Sequence, residues 1–478
     1  MATTVLKVGI LGLTPATEPI YVGILSSLSQ HYALTIVHAD TKELALSIQQ
    51  GSSSPRVTAI PEEVIQNSEV NLIINLFPFR QHEPYTIAAL QAGKHVMVKT
   101  PLSLSPSTLS QIRAALGDDH KSSDTSSHSA LSSDCSRPQF FISCARRYAP
   151  CFTEVFKREL ASLEIIHYVR CRNITGFAST PDVSNINPRS LGATTTTKPE
   201  ASDEGTINHA TDTIDINIPS RPKPSSSSSS SIPLSHRHLP KHMHAVLADI
   251  FGPKVEATAD REALCHFIGT SGSHDFSLIQ ESFGFPDAVS HVSIIKPFYN
   301  AMFHYKDGSV SSSRGASQPF TLFYEAGVDG VPRSDAHLTV YGLNKTISFS
   351  YQLSHPSEMN RSSIVARVVV ETVDHGTDAD GDTDVNMGNG ISDANGNRPV
   401  PEQLRLKRTE YVNTANEVYE QEFLAMHAQL TGAATSDLKD LKVRPKTSLN
   451  DATDDLKIMH MIFDHYDRQC GTIRTPLG

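Results

Sequence analysis

The stretch VNLIINLFPFRQHEPYTIAALQAGKHVMVKTPLSLS, residues 70–105, decides the fold class of this 478-residue chain. It starts with an apolar run, continues with a helical pattern that ends at Gly93, and returns to an apolar run just before Lys99. Continuous apolar runs indicate strands that are buried on both faces of a sheet. Two such strands joined by one helix predict a right-handed crossover between parallel neighbours.

The same alternation of strand and helix patterns extends over residues 1–150. Apolar strand patterns recur at VLKVGILGL (5–13), LTIVHAD (34–40) and QFFISCA (139–145), with helical patterns between them. This alternation predicts an α/β domain built on a doubly wound parallel sheet. A segment rich in Ser and Asp at about 118–136 interrupts the domain, and its composition predicts a disordered insert.

Residues 151–478 have a different pattern, in which strands follow one another without helices between them. The clearest examples are AVSHVSIIKPFYNAMFHY (288–305), FTLFYEAG (320–327) and AHLTVYGLNKTISFSY (336–351). Such segments predict an α+β domain with a mainly antiparallel sheet that is open on one face. Polar segments at about 180–238 and 374–400 predict two further disordered inserts.

Composition and charge limit the possible partners and compartment. The net charge of −10 and the pI near 6.1 argue against nucleic acid and anionic membranes, because both require basic patches. No apolar run reaches the roughly 20 residues of a membrane span, and the amino terminus lacks a secretory signal pattern. Six scattered cysteines without a CxxC pair indicate free thiols. We therefore expect a cytoplasmic protein.

Two segments resemble metal sites but lack part of the ligand set. His236, His238, His242 and His244 lie close together without a cysteine or carboxylate to complete a zinc site. The acidic loop at 378–382 lacks the Gly and Glu that a calcium-binding EF-hand loop requires. The sequence therefore predicts no metal.

The first strand leads into a candidate cofactor turn. Gly9 and Gly12 precede a helical pattern, and glycines there let backbone N–H groups approach a pyrophosphate at a helix N-terminus. Thr14 stands where the dinucleotide motif has its third glycine, so an ordinary turn is the alternative. Asp40 after the second strand is placed to bind a ribose diol, which favours NAD; the alternatives are a helix N-cap and, through Lys42, a 2′-phosphate of NADP.

The opening stretch resembles the central signature of the glucose–fructose oxidoreductase/inositol dehydrogenase (Gfo/Idh/MocA) family. Pro78 and His82 match its strand-end proline and the following histidine, and residues 92–96 match its AGKHV. CARRYAPCF (144–152) is similar to the crossing between the family's two domains. GSHDFSLIQESFGFP (272–286) is similar to the helix that carries the active-site histidine, and YEAGVDGVPRSDAHLTVYGLNKTISFSY (324–351) to the sheet of a fungal-type subgroup.

The resemblance implies a Rossmann domain that binds NAD or NADP, an open-faced sheet domain for substrate and oligomerisation, and an active site at their junction. The implied substrates are sugars, polyols and related alcohols, whose secondary hydroxyl gives a hydride to the nicotinamide and a proton to a base. A homo-oligomer is also implied. On pattern and resemblance together, the expected cofactor-binding residues are Gly9, Gly12, Thr14, Asp40, Pro78, His82, Lys99 and Pro101.

Three departures from the family pattern concern the chemistry. The family corner reads Glu-Lys-Pro, whereas this chain has Lys99-Thr100-Pro101. Because side chains alternate along a strand, the one-residue shift predicts that the ammonium turns away from the substrate. Two roles remain open for Lys99: a catalyst, or a solvated charge at a strand end. Thr270 and Ser277 replace two carboxylates that flank the family histidine.

His274 is the remaining candidate for the general base, because an unperturbed imidazole pKa of about 6.5 suits proton transfer near neutrality. The alternative is a helix-end histidine bonded to backbone. Candidate substrate-binding residues are Arg147, Tyr148, Asp275 and Glu325, although Arg147 also suits a domain-interface ion pair and Glu325 also suits a solvent-facing position. The function is then that of an oxidoreductase or, given the departures, of a cofactor-binding sensor or scaffold without turnover.

Overall fold

The computed structural model describes most of both predicted domains. The described residues are 4–39, 41–49, 55–116, 137–176, 244–254, 256, 258–306, 318–331, 333–351, 363–374, 405–431 and 447–471. Asp40 and the three predicted disordered inserts lie outside them, except for Asp374, which ends a strand.

The amino-terminal sheet is parallel and has helices between its strands. Its six strands lie in the order β3-β2-β1-β4-β5-β6, so the order reverses between β1 and β4. This confirms the predicted doubly wound sheet, and the reversal marks where such folds bind ligands. In chain order the elements are β1 (Leu6–Leu13), α1 (Glu18–Ser27), β2 (Tyr32–Ala39), α2 (Lys42–Gln49), β3 (Arg56–Thr58), α3 (Pro61–Ile65), β4 (Leu72–Asn75), α4 (Phe79–Gln91), β5 (His95–Lys99), α5 (Pro106–Ala115) and β6 (Phe140–Ser143).

The second sheet has eight strands in the order β14-β13-β12-β11-β7-β10-β9-β8. Every neighbouring pair is antiparallel except β7 with β10. The predicted mainly antiparallel sheet is confirmed. Its strands are β7 (Ile166–Gly176), β8 (Ala288–Ile295), β9 (Phe298–Tyr305), β10 (Phe320–Asp329), β11 (Ser334–Gly342), β12 (Lys345–Tyr351), β13 (Ile364–Asp374) and β14 (Arg405–Thr414).

Helices and turns join the two sheets. The chain crosses from one to the other through a 3₁₀ turn (Ala145–Tyr148), a π turn (Cys151–Phe156) and α6 (Lys157–Ala161). No described helix combines the length and apolar character that a membrane span requires. The remaining helical elements are α7 (244–251), α8 (Ala259–Phe267), a second π turn (Ile268–Gly272), α9 (Ser273–Phe283), α10 (Ala415–Thr431) and α11 (Leu449–Gly471).

The last two helices contribute to the cores on both sheets. In α10, Val418 packs in the core of the second sheet, while Phe423 and Met426 pack with residues of the first. In α11, Leu456 packs against the first sheet and Phe463 against the second. The predicted domain boundary near residue 150 therefore stays a prediction, because carboxy-terminal residues complete the amino-terminal core.

Gly9 lies inside β1, where the strand is closely covered by a helix. A Cβ atom added at Gly9 would lie 2.7 Å from Cγ1 of Val64 in α3 and 3.1 Å from Cδ1 of Ile73. Glycine at this position lets α3 pack onto the sheet. The prediction that Gly9 binds the cofactor is therefore wrong in its reason, since the residue precedes the end of β1 by four positions.

We expect Gly9→Ala to destabilise the protein by about 1–3 kcal/mol, because the added methyl overpacks the contact with Val64. Urea unfolding measures the change. The Gly9→Ala/Val64→Ala double variant should lose less stability than the sum of the losses in the two single variants, because the smaller side chain at position 64 makes room for the added methyl. Gly330→Ala is the control, because an added Cβ there has no neighbour within 4 Å. Equal losses in Gly9→Ala and Gly330→Ala would contradict this account.

Candidate active site

The candidate site lies where the carboxyl ends of β5 and β6 meet the first turn of α9. The His274 Nδ1 atom lies 4.0 Å from the Sγ atom of Cys144, the residue that follows β6. The π turn before α9 packs on the amino-terminal domain through Gly269, where an added Cβ would lie 2.6 Å from the Phe79 ring. The second domain therefore delivers the His274 imidazole to the edge of the first sheet.

His274 is held in its neutral form. Burial lowers its pKa well below 6.5, and the positive charges of Arg146 and Lys99 lower it further, as do His82 and Arg147. The ordinary imidazole pKa that the sequence suggested is therefore wrong for this environment. Because the surroundings are positive, the site favours a negatively charged group over an imidazolium.

Lys99 lies on the side of the sheet that faces α1 and α10. It pairs in register with Ser143, and its ammonium lies 5.6 Å from the centre of the Tyr21 ring. Its charge lowers the pKa of both His274 and Glu422. The prediction that the register shift turns the ammonium away from the substrate stays a prediction, although its charge lies near enough to lower the pKa of His274. Thr100, at the family lysine position, is buried, and its N–H donates to the Ser143 carbonyl.

His82 is buried between the segment after β4 and the corner at Pro101. Each ring nitrogen of His82 lies 2.7 Å from a backbone carbonyl oxygen, one of Phe77 and one of Pro101. Burial lowers the pKa of His82 to about 4, although the two carbonyls oppose this shift. His82 therefore joins the Pro101 corner to the segment after β4, and its contact with a cofactor stays a prediction. Pro78 is exposed and is the N-cap residue of α4.

The turn between β1 and α1 lies where a dinucleotide fold binds its pyrophosphate, but most of its N–H groups are bonded within the protein. Gly12 has a φ of 68°, and its N–H donates to the His38 imidazole. Thr14 and Thr17 bond to each other across the turn. The N-cap residue Thr17 makes no side-chain cap bond, but the N–H groups of Thr17 and Glu18 both donate to the Thr14 carbonyl. Pro19 removes a further N–H, so few N–H groups of α1 remain for an anion at the point where the strand order reverses.

Asp275 has a structural position and does not face the cleft. Its fully buried carboxylate accepts hydrogen bonds from Arg146 at 2.9 Å, Asn173 at 2.8 Å, Tyr324 at 2.9 Å and Tyr351. The Arg146 guanidinium also stacks on the Tyr351 ring, 3.9 Å from its centre. These donors occupy both oxygens, so the prediction that Asp275 binds substrate is wrong.

Three other predicted substrate-binding residues separate in space. Glu325 lies on the open face of the second sheet, opposite the buried Tyr324, and pairs with Arg170 at 2.7 Å. The prediction that Glu325 faces the cleft is wrong because strand alternation turns it outward. Arg147 and Tyr148 are buried at the crossing, and burial raises the pKa of Tyr148 well above 10. Their substrate contacts stay a prediction.

Sequence reasoning missed Arg146 and Glu422. The Arg-Arg-Tyr motif contains two adjacent arginines that sequence does not distinguish. Only the structure shows that Arg146 is the one that reaches Asp275. Glu422 is 0% exposed on α10. The signal that marks it is spacing: it occupies one of the buried helix positions 415, 418, 422 and 426, where an apolar residue is expected.

Glu422 keeps its proton to unusually high pH. Burial raises its pKa to about 7, while Ser143, Arg147, the Cys144 N–H and Lys99 oppose the shift. Ser143 and the Cys144 N–H favour the ionised form from nearby, yet neither carboxylate oxygen has a partner with hydrogen-bond geometry among the described residues. The carboxyl group therefore sits in a polar cluster that does not fully solvate it.

Comparisons with known proteins identify the class of this arrangement. A family model described as "Oxidoreductase family, NAD-binding Rossmann fold" matches residues 6–122. The predicted resemblance to the Gfo/Idh/MocA family is thus confirmed over residues 6–122, about a quarter of the chain, which match the NAD-binding Rossmann part of that family. The comparison with curated proteins gave no match.

Several solved structures share the fold over nearly the whole chain. One is a levoglucosan dehydrogenase in complex with NADH and levoglucosan, with a TM-score of 0.53, 11% identity and 98% of both chains covered. Another is the proposed oxidoreductase yvaA from Bacillus subtilis, with a TM-score of 0.54, 13% identity and the same coverage. A proposed NADPH-dependent oxidoreductase from Desulfitobacterium hafniense has a TM-score of 0.52, 9% identity and 97% coverage of both chains. At these identities the likeness shows the fold alone.

We expect Asp275→Asn to destabilise the protein by about 3 kcal/mol, because it leaves the buried Arg146 charge without its counter-ion. Chemical unfolding measures the loss. Asp335→Asn is the control, since that carboxylate is 31% exposed and pairs with Arg172 on the open face. Its loss should stay below about 1 kcal/mol. Similar losses for the two variants would argue against the buried network.

The pH dependence of stability tests the environment of Glu422. The folded state holds this proton up to about pH 7, whereas an ordinary glutamate releases it near 4.5. Stability is therefore expected to fall as the pH rises between these values, because the folded state binds more protons than the unfolded state. The stability of Glu422→Gln relative to wild type should rise by about 2 kcal/mol from pH 5 to pH 8.

The control for this prediction is Glu420→Gln on the same helix. Its carboxylate is partly exposed and accepts a hydrogen bond from Asn416. It controls for the loss of a carboxylate from this helix. A stability difference between Glu422→Gln and wild type that does not change with pH would mean that Glu422 is ionised throughout.

Proposed function

We propose that the protein is an NAD(P)-dependent oxidoreductase acting on the CH–OH group of a sugar, polyol or sugar-containing metabolite. It transfers a hydride between the nicotinamide cofactor and a secondary alcohol or the corresponding ketone. The observation that carries the proposal is the meeting of His274 from the second domain with Lys99 and Cys144 at the carboxyl edge of an NAD-binding family sheet. That edge is where open α/β sheets bind their ligands.

The turn around Gly12 and the N-terminus of α1 lie where the strand order reverses and are the groups that would hold the cofactor's pyrophosphate. When bound, the nicotinamide supplies the hydride acceptor. Asp40 would contact the adenosine ribose, which slightly favours NAD over NADP. The levoglucosan dehydrogenase neighbour holds NADH, while the Desulfitobacterium neighbour is described as NADPH-dependent.

The charges of the site suit the oxidation of an alcohol. Arg146, Arg147 and Lys99 surround His274 and stabilise the negative charge that develops on a substrate oxygen as its proton leaves. Neutral His274 accepts a hydrogen bond from the substrate hydroxyl and orients it. The same positive charges disfavour an imidazolium at His274, so the substrate proton goes to the Lys99 amine, which accepts it only after the ammonium has released a proton of its own.

The substrate class is proposed from shared fold and polarity. The levoglucosan dehydrogenase neighbours are complexes with levoglucosan and with L-sorbose, both of which are sugar ligands. We also propose a homo-oligomer by family analogy. A cytoplasmic location suits the buried free thiols of Cys144, Cys151, Cys171 and Cys265.

A second candidate function is an NAD(P)-binding sensor or scaffold without turnover. Thr270 favours it, because its hydroxyl donates to the His266 carbonyl at 2.8 Å instead of reaching the cleft. The low pKa of His274 favours it too, because a weakly basic imidazole is a poor general base. Both candidates require cofactor binding, and only the first requires hydride transfer.

Two measurements separate the candidates. Fluorescence titration with NADH and NADPH should show binding of at least one, and absorbance of the reduced nicotinamide should report turnover in a screen of sugars and polyols. Lys99→Met should then lower kcat on the order of 10²-fold or more, and His274→Ala should lower it less. His167→Ala, at an exposed histidine, is the control. Binding without turnover would favour the sensor; binding of neither nucleotide would overturn both.

A further inference from the structure

A polar cluster lies beneath the candidate site, on the face of the first sheet that α10 covers. Lys99 and Ser143 are parallel neighbours in register, so their side chains point to the same face. Met97 and Phe141, two positions earlier on the same strands, face the core that contains Phe423 of α10. This register places the Lys99 ammonium and the Ser143 hydroxyl towards the helix that carries Glu422.

Glu422 is the acidic group of this cluster. Its side chain is fully buried, and no described donor reaches either carboxylate oxygen with hydrogen-bond geometry, although Ser143 and the Cys144 N–H lie near enough to favour the ionised form. It is not part of the machinery proposed above, and it is too deep to touch a substrate. The titratable groups that face it are Tyr21 of α1, Tyr32 of β2, Lys99 of β5, Cys144 after β6, Arg147 and Tyr148 of the crossing turn, and Tyr419 of α10.

A buried carboxylate whose neighbouring donors are poorly aligned is costly unless it exchanges a proton or a charge with a neighbour. Tyr21, Tyr148 and Tyr419 all keep their protons, because burial raises each pKa well above the ordinary value. Arg147 keeps its charge as well. Tyr32 and Cys144 also keep their protons, because burial raises the pKa of each. Among the facing groups, Lys99 is then the half-buried one that can exchange a proton with a carboxylate.

We propose that Glu422 is a positioning residue that stores the proton released from the substrate, acting through Lys99. This inference rests on the proposed oxidoreductase function. The Lys99 ammonium first passes a proton to the Glu422 carboxylate, which leaves a neutral amine. That amine takes the proton of the substrate hydroxyl while the C–H hydride, with its electron pair, leaves for the nicotinamide. The net result is one protonated Glu422, one Lys99 ammonium, a carbonyl product and a reduced cofactor.

Storage near neutral pH requires a carboxyl group that is ionised before the reaction and protonated after it. Glu422 meets this condition because burial raises its pKa to about 7. His274 does not, because its pKa is lowered well below 6.5. In this proposal, His274 orients the substrate hydroxyl, Lys99 transfers the proton, and Glu422 stores the proton.

The first test uses the infrared carbonyl band of the protonated carboxyl group, which needs no substrate. The pH difference spectrum of wild type minus Glu422→Gln isolates the Glu422 titration. Lys99→Met should shift its midpoint upwards, because the lost positive charge no longer favours the carboxylate. Lys99→Arg keeps the charge and should leave the midpoint near that of wild type. An unshifted midpoint in Lys99→Met overturns the inference.

The second test uses the pH profile of alcohol oxidation. Wild-type kcat should rise as Glu422 ionises, with a midpoint near its pKa of about 7. Glu422→Gln should lose this inflection and lower kcat on the order of 10²-fold with little change in KM, while Glu420→Gln keeps the wild-type profile. A wild-type profile in Glu422→Gln overturns the inference. Absence of turnover with every substrate instead overturns the proposed function, and the infrared shift still reports on the Lys99–Glu422 coupling.

Discussion

The buried carboxylate of Asp275 joins the parts of the molecule on which the site depends. It lies in the first turn of α9, next to His274, and binds Arg146 of the crossing turn. It also binds Asn173 of β7, Tyr324 of β10 and Tyr351 of β12. A charge that is removed from water must be paired and hydrogen-bonded, so these elements can adopt few other arrangements. The position of the imidazole relative to the first sheet follows from this constraint.

The same network determines the charge of the site. Arg146 neutralises Asp275 and still contributes to the positive field that keeps His274 neutral. Lys99 and Arg147 add to that field from the first sheet and the crossing. Under the proposed function, this positive field would stabilise an oxyanion without a carboxylate beside the reacting oxygen, which would account for Thr270 and Ser277 near the histidine. The buried carboxyl group of Glu422 belongs to α10, which packs against one face of the first sheet.

The carboxy-terminal helices explain why the two domains act together. Tyr32 of the first sheet donates to the Phe423 carbonyl of α10, and His427 contacts the Thr4 carbonyl. On the opposite side of the first sheet, α11 packs Leu456 into the core. Both helices also enter the core of the second sheet. Relative movement of the domains would therefore disturb packed apolar surface on both sides of the cleft.

Local pattern alone determined the doubly wound sheet, the mainly antiparallel sheet and the family resemblance, because apolar periodicity and turn residues act over a few neighbouring positions. His274 and Lys99 were also found from sequence, since their motifs are local. The roles of Asp275, Glu325 and Gly9 were decided by tertiary structure, because sequence does not specify which face of a strand or helix meets a distant partner. Arg146 and Glu422 emerged only in three dimensions. Their chemistry depends on burial and on charges from segments more than 100 residues away, as the Arg146–Asp275 pair with its sequence separation of 129 illustrates.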